Sequence, residues 1–250
     1  MDGQRMRIIK SFLSALMQML YPPRCPICDE ILEPEDIDAG IHSRCKKDVF
    51  EVGETTCMCC GRPLENGIKE FCYDCGKKEK VRCIRQGKAV YLYQGKIKQS
   101  LYRFKYKNRR EYATFFAKEA YQKYADWIAA KEPQAIIPVP MYMGKQRRRG
   151  YNQAEVFATE LSKLTGIQVD TSVVKRIKDT TPQKALNDKQ RKNNLKSAFQ
   201  KNKNIVQYSK VLVVDDIYTT GSTAEAVAEV LLKMHVDDVY MLSISIGKGM

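Results

Sequence analysis

The acidic pair Asp215 and Asp216 is the feature of this chain that most clearly predicts chemistry. The four residues before it, 211–214, are Val-Leu-Val-Val, and the loop at 219–223 reads Thr-Thr-Gly-Ser-Thr before a new apolar run begins. This order predicts a strand, a loop and the N-terminus of a helix, which together can hold a phosphorylated sugar. Backbone N–H groups at a helix N-terminus attract a phosphate. Carboxylates suit ribose hydroxyls or a magnesium ion instead.

The loop itself supplies the candidate phosphate-binding residues. Gly221 lets the main chain approach a ligand closely because it has no Cβ, and the neighbouring hydroxyls add donors. The sequence has neither the Gly-Lys-Ser/Thr ending of a Walker loop nor the Gly-x-Gly-x-x-Gly of a dinucleotide site, which excludes both. An ordinary strand-to-helix turn with a capping residue is the alternative. The phosphate-binding candidates are Thr219, Thr220, Gly221, Ser222 and Thr223.

A cluster of cations follows a second apolar stretch and forms the next set of candidate residues. Residues 135–140 read as a buried strand, and residues 145–149 are Lys-Gln-Arg-Arg-Arg. Guanidinium groups match phosphate oxygens in a fork geometry, so a basic loop at the carboxyl end of a strand could bind a diphosphate. A solvated basic loop is the alternative. We assign Arg147 and Arg149 to a diphosphate, and we treat Gly150, Asn152 and Gln153 as further candidate contacts.

Two other basic stretches are candidates for contact with a ligand or a nucleic acid. Residues 103–110 interleave aromatic and basic side chains, as proteins that bind single-stranded DNA do, although a helix with a buried aromatic face explains the pattern equally well. A loop around residues 181–183 could close over a ligand, and the basic run at 189–195 could follow a phosphate backbone. The candidates here are Lys105, Lys107, Arg109, Arg110, Gln183 and Arg191.

The nine cysteines all lie within the first 83 residues, where they form metal-ligand patterns. Four pairs of Cys or His are each separated by two residues, the spacing that lets both side chains reach one ion. Eight such ligands make two tetrahedral zinc sites with a structural role, because four protein ligands leave no open position for catalysis. The ligands are Cys25, Cys28, His42, Cys45, Cys57, Cys60, Cys72 and Cys75.

Some details of these metal sites remain open in the sequence. We expect consecutive pairs to share an ion, and an interleaved arrangement is the alternative. Disulfides would need an oxidising compartment, and the sequence has no export signal. A solvent-facing side chain is the alternative for His42. Cys59 and Cys83 fall outside the ligand scheme and could be buried thiols.

The elements that must position these residues follow from the hydrophobic periodicity. It predicts an amphipathic helix over residues 1–22, whose apolar run is too short to span a membrane. A double zinc-binding module follows at 23–82, and an α/β domain at 83–250. Strands alternate with helices in that domain, which predicts a mostly parallel sheet flanked by helices. The predicted strands are 88–93, 135–140, 169–177, 210–217 and 239–246.

The segment from Val213 to Thr223 resembles the phosphoribosyl-pyrophosphate motif of the type I phosphoribosyltransferases. Over residues 20–247 the chain also resembles the competence protein F family, through motifs at 21–28, 57–64, 104–106, 138–140, 147–153, 181–183, 191–199 and 213–223. This resemblance implies a fold like that of the type I phosphoribosyltransferases with a zinc-binding head. It also implies a role in natural transformation, in which imported single-stranded DNA enters the cytoplasm. His42 departs from the pattern, because many relatives carry Cys there.

The charge and the resemblance together favour a cytoplasmic DNA-uptake factor. A net charge of +14 in 250 residues predicts an anionic partner. The factor would bind phosphoribosyl pyrophosphate with Mg²⁺, single-stranded DNA and proteins of the competence machinery. An active phosphoribosyltransferase is the alternative, in which Asp215 and Asp216 are catalytic and stabilise a positively charged ribosyl group. A module that senses phosphoribosyl pyrophosphate is a further alternative.

Overall fold

The computed structural model describes residues 21–65, 67–76, 82–179, 197–202 and 207–247. Residues 1–20 of the predicted N-terminal helix lie outside these ranges, as do the candidate residues Gln183 and Arg191. Within the described ranges, each helix is either too short or too polar to cross a membrane.

A parallel sheet forms the centre of the α/β domain. The described strands are β1 (Gln86–Leu92), β2 (Ala135–Pro138), β3 (Val174–Arg176), β4 (Phe199–Lys201), β5 (Lys210–Tyr218) and β6 (Asp238–Ile246). Four of them form the sheet in the order β1-β6-β5-β2, with every neighbouring pair parallel. β3 and β4 form a separate antiparallel pair. The prediction of a mostly parallel sheet is therefore confirmed, and the acidic pair lies on an interior strand.

Helices cover both faces of this sheet. The described helices are α1 (Tyr73–Gly76), α2 (Gly95–Tyr106), α3 (Tyr112–Lys131), α4 (Met143–Arg149), α5 (Gln153–Thr165) and α6 (Ser222–Leu232). On β5, Leu212 and Val214 belong to the core that includes α3 and α5, whereas Val211 and Val213 belong to the core with α6. The strand is apolar throughout this stretch because it is buried on both sides, as parallel strands usually are. Each such side chain contributes about 1.5–3 kcal/mol of burial free energy.

The predicted strand at 169–177 is wrong for most of its length. Val169 makes a single parallel bridge to Ile136, and the chain pairs again only at β3. Between them the carboxylate of Asp170 accepts hydrogen bonds from the N–H and hydroxyl of Ser172, at 2.8 and 2.7 Å. An aspartate that binds the backbone two residues ahead turns the chain, so the extended run is broken there.

The predicted basic loop at 145–149 is also wrong, because these residues belong to helix α4. Met, Lys, Gln and Arg are all strong helix formers. The prediction of a loop took account of the charge of the four cations at 145–149 but not of this helical preference. Gly150 ends the helix with a φ of 89°, a left-handed conformation that glycine adopts without steric cost.

The metal-ligand region folds as two lobes that both contact the α/β domain. We call residues 24–48 the first metal lobe and residues 51–76 the second. The first is held by α2, where Arg103 Nη2 donates to the carbonyl of Ile27 at 2.6 Å. The second extends along β1, where the N–H of Gly87 donates to the carbonyl of Cys59 at 2.6 Å. Both lobes are therefore packed on the domain that carries the acidic pair.

Candidate functional site

The acidic pair lies near the carboxyl end of β5 and is joined there by a lysine from α2. The N–H of Asp216 donates to Oδ1 of Asp215 at 2.8 Å. Lys105 Nζ lies 3.0 Å from Oδ1 of Asp216, whose side chain is 11% exposed. A charge pair shielded from water in this way is stronger than one on the surface. Of the candidate contacts in residues 103–110, Lys105 is the one that reaches the acidic pair in the structure.

Burial and the neighbouring charge change the ionisation of this group. Burial, and then the charge of Asp216, raise the pKa of Asp215 to about 7. Burial lowers the pKa of Lys105, but the charges of Asp216 and Asp215 outweigh it, and the pKa of Lys105 is raised. Near neutral pH, Asp215 is therefore partly protonated, and it can either donate a hydrogen bond to a sugar hydroxyl or accept one.

The loop after β5 presents backbone donors. Gly221 has a φ of 75° and precedes the first turn of α6. Hydroxyl oxygens of Thr220 and Ser222 lie 2.9 Å apart, and Thr219 and Thr220 are exposed. In the part of the chain that the structure describes, the N–H groups of Thr220, Gly221 and Thr223 have no hydrogen-bond partner. Such a row of donors at a helix N-terminus suits a phosphate.

A Cβ at residue 221 would overlap the hydroxyl and Cζ of Tyr218, which is buried beneath the loop. Glycine is thus required at residue 221 for two reasons: the backbone has a positive φ, and there is no room for a Cβ. The ring of Tyr218 fills the space beneath the loop, and this packing prevents the loop from collapsing inward.

Several cations gather around the acidic pair. Lys145 and Arg149 are four residues apart on α4 and therefore lie on the same face of that helix. Burial, and then the charges of Arg149, Arg176 and Lys105, lower the pKa of Lys145, while the charge of Asp179 opposes this change. We call Lys105, Lys145, Arg149 and Arg176 the cation cluster.

Arg149 has a defined place within this cluster. Its Nη1 donates to Oε1 of Gln153 at 2.5 Å, and its guanidinium lies 4.7 Å from the ring centroid of Tyr106. Arg147, by contrast, is exposed and contacts the sulfur of Met143 at 3.5 Å. Of the two arginines assigned to a diphosphate, the structure therefore places Arg149 in the cation cluster and leaves Arg147 on the surface.

Lys145 and Arg176 are members of the cluster that the sequence reasoning missed. The signal for Lys145 was its spacing of four from Arg149, which has meaning only if residues 143–149 form a helix. Arg176 comes from β3, and the charge of Asp215 opposes the lowering of its pKa by burial. No local pattern in the sequence connects Arg176 with the acidic pair.

Two candidate contacts after α4 frame the site from inside the protein. Asn152 accepts a hydrogen bond from the N–H of Ala154 and donates to the carbonyl of Val139 at 3.0 Å. It thus caps α5 and ties that helix to the end of β2. Gln153 is 1% exposed, and its Nε2 lies 3.5 Å from the carbonyl of Phe104. Burial leaves neither amide open to a large ligand.

The remaining candidates in this region hold elements together or lie on the surface. Arg109 Nε lies 2.9 Å from Oδ1 of Asp29, which fastens the first metal lobe to the domain. Arg110 donates to the carbonyl of Gly150 at 2.9 Å and stacks on a tyrosine ring. Lys107 is exposed. Of these residues, only Lys107 and Arg110 have enough exposure to meet a nucleic acid.

The eight predicted metal ligands form two groups of four. In each group the ligand atoms lie within 4.8 Å of one another, and each group consists of two consecutive pairs. Nε2 of His42 lies 3.0 Å from the carbonyl of Ile31, while its Nδ1 lies 3.2 Å from the sulfur of Cys28. A histidine whose Nε2–H is held by a carbonyl has its Nδ1 free to bind a metal. The groups are Cys25, Cys28, His42, Cys45 and Cys57, Cys60, Cys72, Cys75.

The chemistry of these donor sets fits zinc. Hydrogen bonds from Cys60 and Cys75 lower the pKa of Cys57, while the same contacts help to raise the pKa of Cys75. Four sulfurs this close cannot all become thiolates unless a cation offsets their charge, which a divalent ion does. The ion would hold each lobe together and would supply no open coordination position. Cys59 belongs to neither group and lies against the carbonyl of Ile84.

Comparison with known proteins gives the relationships of the chain. Residues 16–76 match the family model of the double zinc ribbon domain, and residues 117–240 match that of the phosphoribosyl transferase domain. Competence protein F of Haemophilus influenzae is 34% identical over 207 residues, which is 80% of this chain and 87% of that protein. The chain belongs to the competence protein F family.

Other relatives of this competence protein F family member are more distant or match a shorter part. Competence protein ComFC of Bacillus subtilis is 24% identical over 203 residues, 78% of this chain and 79% of that protein. The DNA utilization protein YhgH of Escherichia coli K12 is 38% identical over 101 residues, 40% of this chain and 44% of that protein. Adenine phosphoribosyltransferase of Saccharomyces cerevisiae is 17% identical, with a TM-score of 0.33 over 52% of this chain and 69% of that one.

Proposed function

We propose that this competence protein F family member binds phosphoribosyl pyrophosphate at the carboxyl edge of its sheet and single-stranded DNA on the adjoining surface. It would do so in the cytoplasm, during the uptake of DNA. The observation that carries the proposal is the meeting of three features at one place: a loop of unpartnered N–H groups, an acidic pair and the cation cluster. Each feature suits a different part of the ligand.

The loop at 219–223 would hold the 5-phosphate, because its N–H groups and the N-terminus of α6 favour an anion. Asp215 and Asp216 would bind the ribose hydroxyls, since carboxylates accept hydrogen bonds from them. Lys145 and Arg149 would hold the diphosphate, and Mg²⁺ would accompany it. Lys105 and Arg176 interact electrostatically both with the acidic pair and with Lys145, so they connect the proposed hydroxyl-binding and diphosphate-binding groups.

A pair of neighbouring arginines tests the ligand proposal. Arg149 belongs to the cation cluster, whereas Arg148 is 75% exposed and faces Asp179 at 3.6 Å. We expect Arg149→Gln to weaken the binding of phosphoribosyl pyrophosphate with Mg²⁺ about 10-fold or more, since it removes a charged hydrogen-bond donor. Arg148→Gln should leave the affinity unchanged. Calorimetric titration measures both, and equal losses in the two variants would remove the proposed site.

The proposal for single-stranded DNA rests on exposed aromatic rings beside these cations. Tyr102 and Tyr106 are 56% and 57% exposed, and their ring centroids lie 5.0 Å apart on one face of α2. Nucleic-acid bases stack on such rings, and each stacked base contributes about 1–3 kcal/mol. Exposed Lys107 could contact the phosphates between stacked bases. The names of relatives, competence protein F and DNA utilization protein, agree with a partner of this class.

Two substitutions distinguish the contribution of base stacking to DNA binding from the contribution of charge. Tyr106→Ala should weaken binding of a labelled single-stranded oligonucleotide about 5- to 100-fold, without changing how steeply affinity falls with salt. Lys107→Gln should instead reduce that salt slope by about one unit. Tyr73→Ala is a matched control, because Tyr73 is 73% exposed but lies on the second metal lobe. Equal binding by wild type and Tyr106→Ala would exclude the stacking surface.

Transfer of the phosphoribosyl group is a second candidate function, favoured by the partly protonated state of Asp215 beside the proposed ribose position. A carboxyl group with a pKa near the working pH can exchange a proton with an acceptor. Sustained release of diphosphate from phosphoribosyl pyrophosphate with a panel of bases, lost in Asp216→Asn, would support it. Binding of phosphoribosyl pyrophosphate without any release of diphosphate would mean that the site binds this ligand and does not transfer its phosphoribosyl group.

A further inference from the structure

An arginine of the second metal lobe reaches the candidate phosphate loop. Nη2 of Arg62 donates to the carbonyl of Thr219 at 2.9 Å, across 157 residues of sequence. Nη1 of the same guanidinium donates to the carboxylate of Asp74 at 2.6 Å and lies 3.9 Å from the sulfur of Cys72. One nitrogen of the Arg62 guanidinium therefore binds the loop, and the other binds the second metal lobe.

The guanidinium of Arg62 is held in place by its surroundings. The residue is 5% exposed, and it would be costly to bury without compensating charge. A zinc ion with four thiolates carries a net charge of about −2, which suits a neighbouring guanidinium. The position of Arg62 thus depends on an intact second metal site.

The contact with Thr219 has a geometric consequence for the loop. All peptide bonds in the described chain are trans, so the C=O of Thr219 and the N–H of Thr220 point in opposite directions. When Arg62 binds the carbonyl on the lobe side, the N–H of Thr220 faces away from the lobe. This N–H is one of the donors without a partner among the described residues. Arg62 therefore determines where a loop donor points.

The first metal lobe has no such connection in the described chain. Its contacts run to α2, to α3 and to the loop between them, for example from Arg103 to Ile27, from Lys118 to Asp38 and from Arg109 to Asp29. Loss of the metal from this lobe would disturb that side of the domain and leave the Arg62 contact in place. The two metal sites should therefore differ in their effect on the loop.

We propose that Arg62 is a positioning residue that sets the orientation of the phosphate loop, so that ligand binding at the loop depends on the second metal site. This inference rests on the proposed function, because it assigns a control to the same site. Arg62 touches no ligand. It acts by holding the carbonyl of Thr219, which directs the N–H of Thr220 toward the 5-phosphate.

The test compares Arg62→Gln and Arg62→Lys with Arg44→Gln. Arg44 is a matched control, because it is an arginine of the first metal lobe whose partners are the exposed carboxylates of Glu30 and Glu33. Both Arg62 variants should weaken phosphoribosyl pyrophosphate binding about 10-fold or more, the equivalent of one charge-assisted hydrogen bond. Lysine retains the charge beside the thiolates but lacks the planar fork through which separate nitrogens of Arg62 bind Asp74 and Thr219. Arg44→Gln should bind as wild type does.

Hydrogen exchange gives a readout that needs no ligand. The N–H of Glu225 donates to the loop carbonyl of Gly221 at 2.8 Å. This amide, which is protected only while the loop keeps its position, should exchange faster in both Arg62 variants than in wild type, while zinc content stays at two ions per chain in Arg62→Lys. If Arg62→Gln loses zinc, the inference is tested by comparing Arg62→Lys with wild type. Unchanged affinity and unchanged loop exchange in Arg62→Lys would overturn the inference. If the wild type binds no phosphoribosyl pyrophosphate, the proposed function fails, and the exchange data still test the link between lobe and loop.

Discussion

Replacing Asp215 by asparagine should stabilise the protein in a pH-dependent manner. Asparagine keeps an oxygen that can accept the hydrogen bond from the N–H of Asp216, now 2.8 Å long. It removes a carboxyl group whose pKa is raised to about 7, first by burial and then by the charge of Asp216. In the unfolded chain the same group would titrate near about 3.9. The substitution therefore removes a charge that is costly only in the folded state.

The sign and size of the effect follow from proton linkage. Between about pH 4 and about pH 7 the unfolded chain has lost this proton while the folded chain still holds it, so rising pH favours unfolding. The stability cost is absent below about pH 4, grows to about pH 7 and is constant above it. At about 1.36 kcal/mol per pKa unit, the ceiling is about 4 kcal/mol. Asp215 retains partial exposure, and solvent screening reduces our expectation to about 2 kcal/mol.

Urea unfolding of the zinc-loaded protein, followed by circular dichroism from about pH 5.5 to about pH 8, measures this difference. Asp170→Asn is the control, because hydrogen bonds from Ser172 and Tyr208 outweigh burial and lower the pKa of Asp170. The stability that a lowered pKa contributes is fully present above the pKa of the group in the unfolded chain. The difference in unfolding free energy between wild type and Asp170→Asn should therefore be constant over this pH range. The Asp215→Asn advantage should increase with pH up to about 7. An advantage that does not vary with pH would refute the argument.

Three further outcomes follow from the contacts at the loop and in the metal lobes. Gly221→Ala should cost at least about 1–2 kcal/mol and abolish phosphoribosyl pyrophosphate binding, because its φ is positive and its Cβ would overlap Tyr218, whereas Ser222→Ala should fold normally in urea titrations. Asp29→Ala should cost about 2 kcal/mol in the same assay, since Arg109 loses its carboxylate partner at 2.9 Å. Chelation should release about two zinc ions per chain, measured with a colorimetric indicator, and a yield of one would contradict the assignment of one ligand group.

Local sequence was sufficient for the features that depend on neighbouring residues. The apolar run before Asp215 predicted a strand of a mostly parallel sheet, and such a strand is apolar throughout because it is buried on both faces. The spacing of two residues within each Cys or His pair predicted ligands that meet, since that spacing brings two side chains to one point. Helix α5 is also local in origin, because its apolar residues recur at helical spacing and Gly166, with a φ of 74°, caps its end.

Where local propensity and charge pointed in different directions, the sequence was misread. Residues 145–149 were interpreted as a loop because of their charge, but their intrinsic preference is helical. That helix decides which cations share a face, so Lys145 joins the cluster in place of Arg147. The strand expected at 169–177 was interrupted where the side chain of Asp170 accepts a hydrogen bond from the N–H of Ser172, a contact that hydrophobic periodicity does not predict.

Tertiary structure alone decided which distant residues meet at the site. Lys105 reaches Asp216, and Arg176 comes within the field of Asp215, although neither leaves a periodic signal in the sequence. Arg62 meets Thr219 across 157 residues for the same reason, because the packing of a whole lobe against the sheet brings them together. The amino-acid sequence therefore determined the chemical groups of the site, and the folded packing determined which of them act on one another.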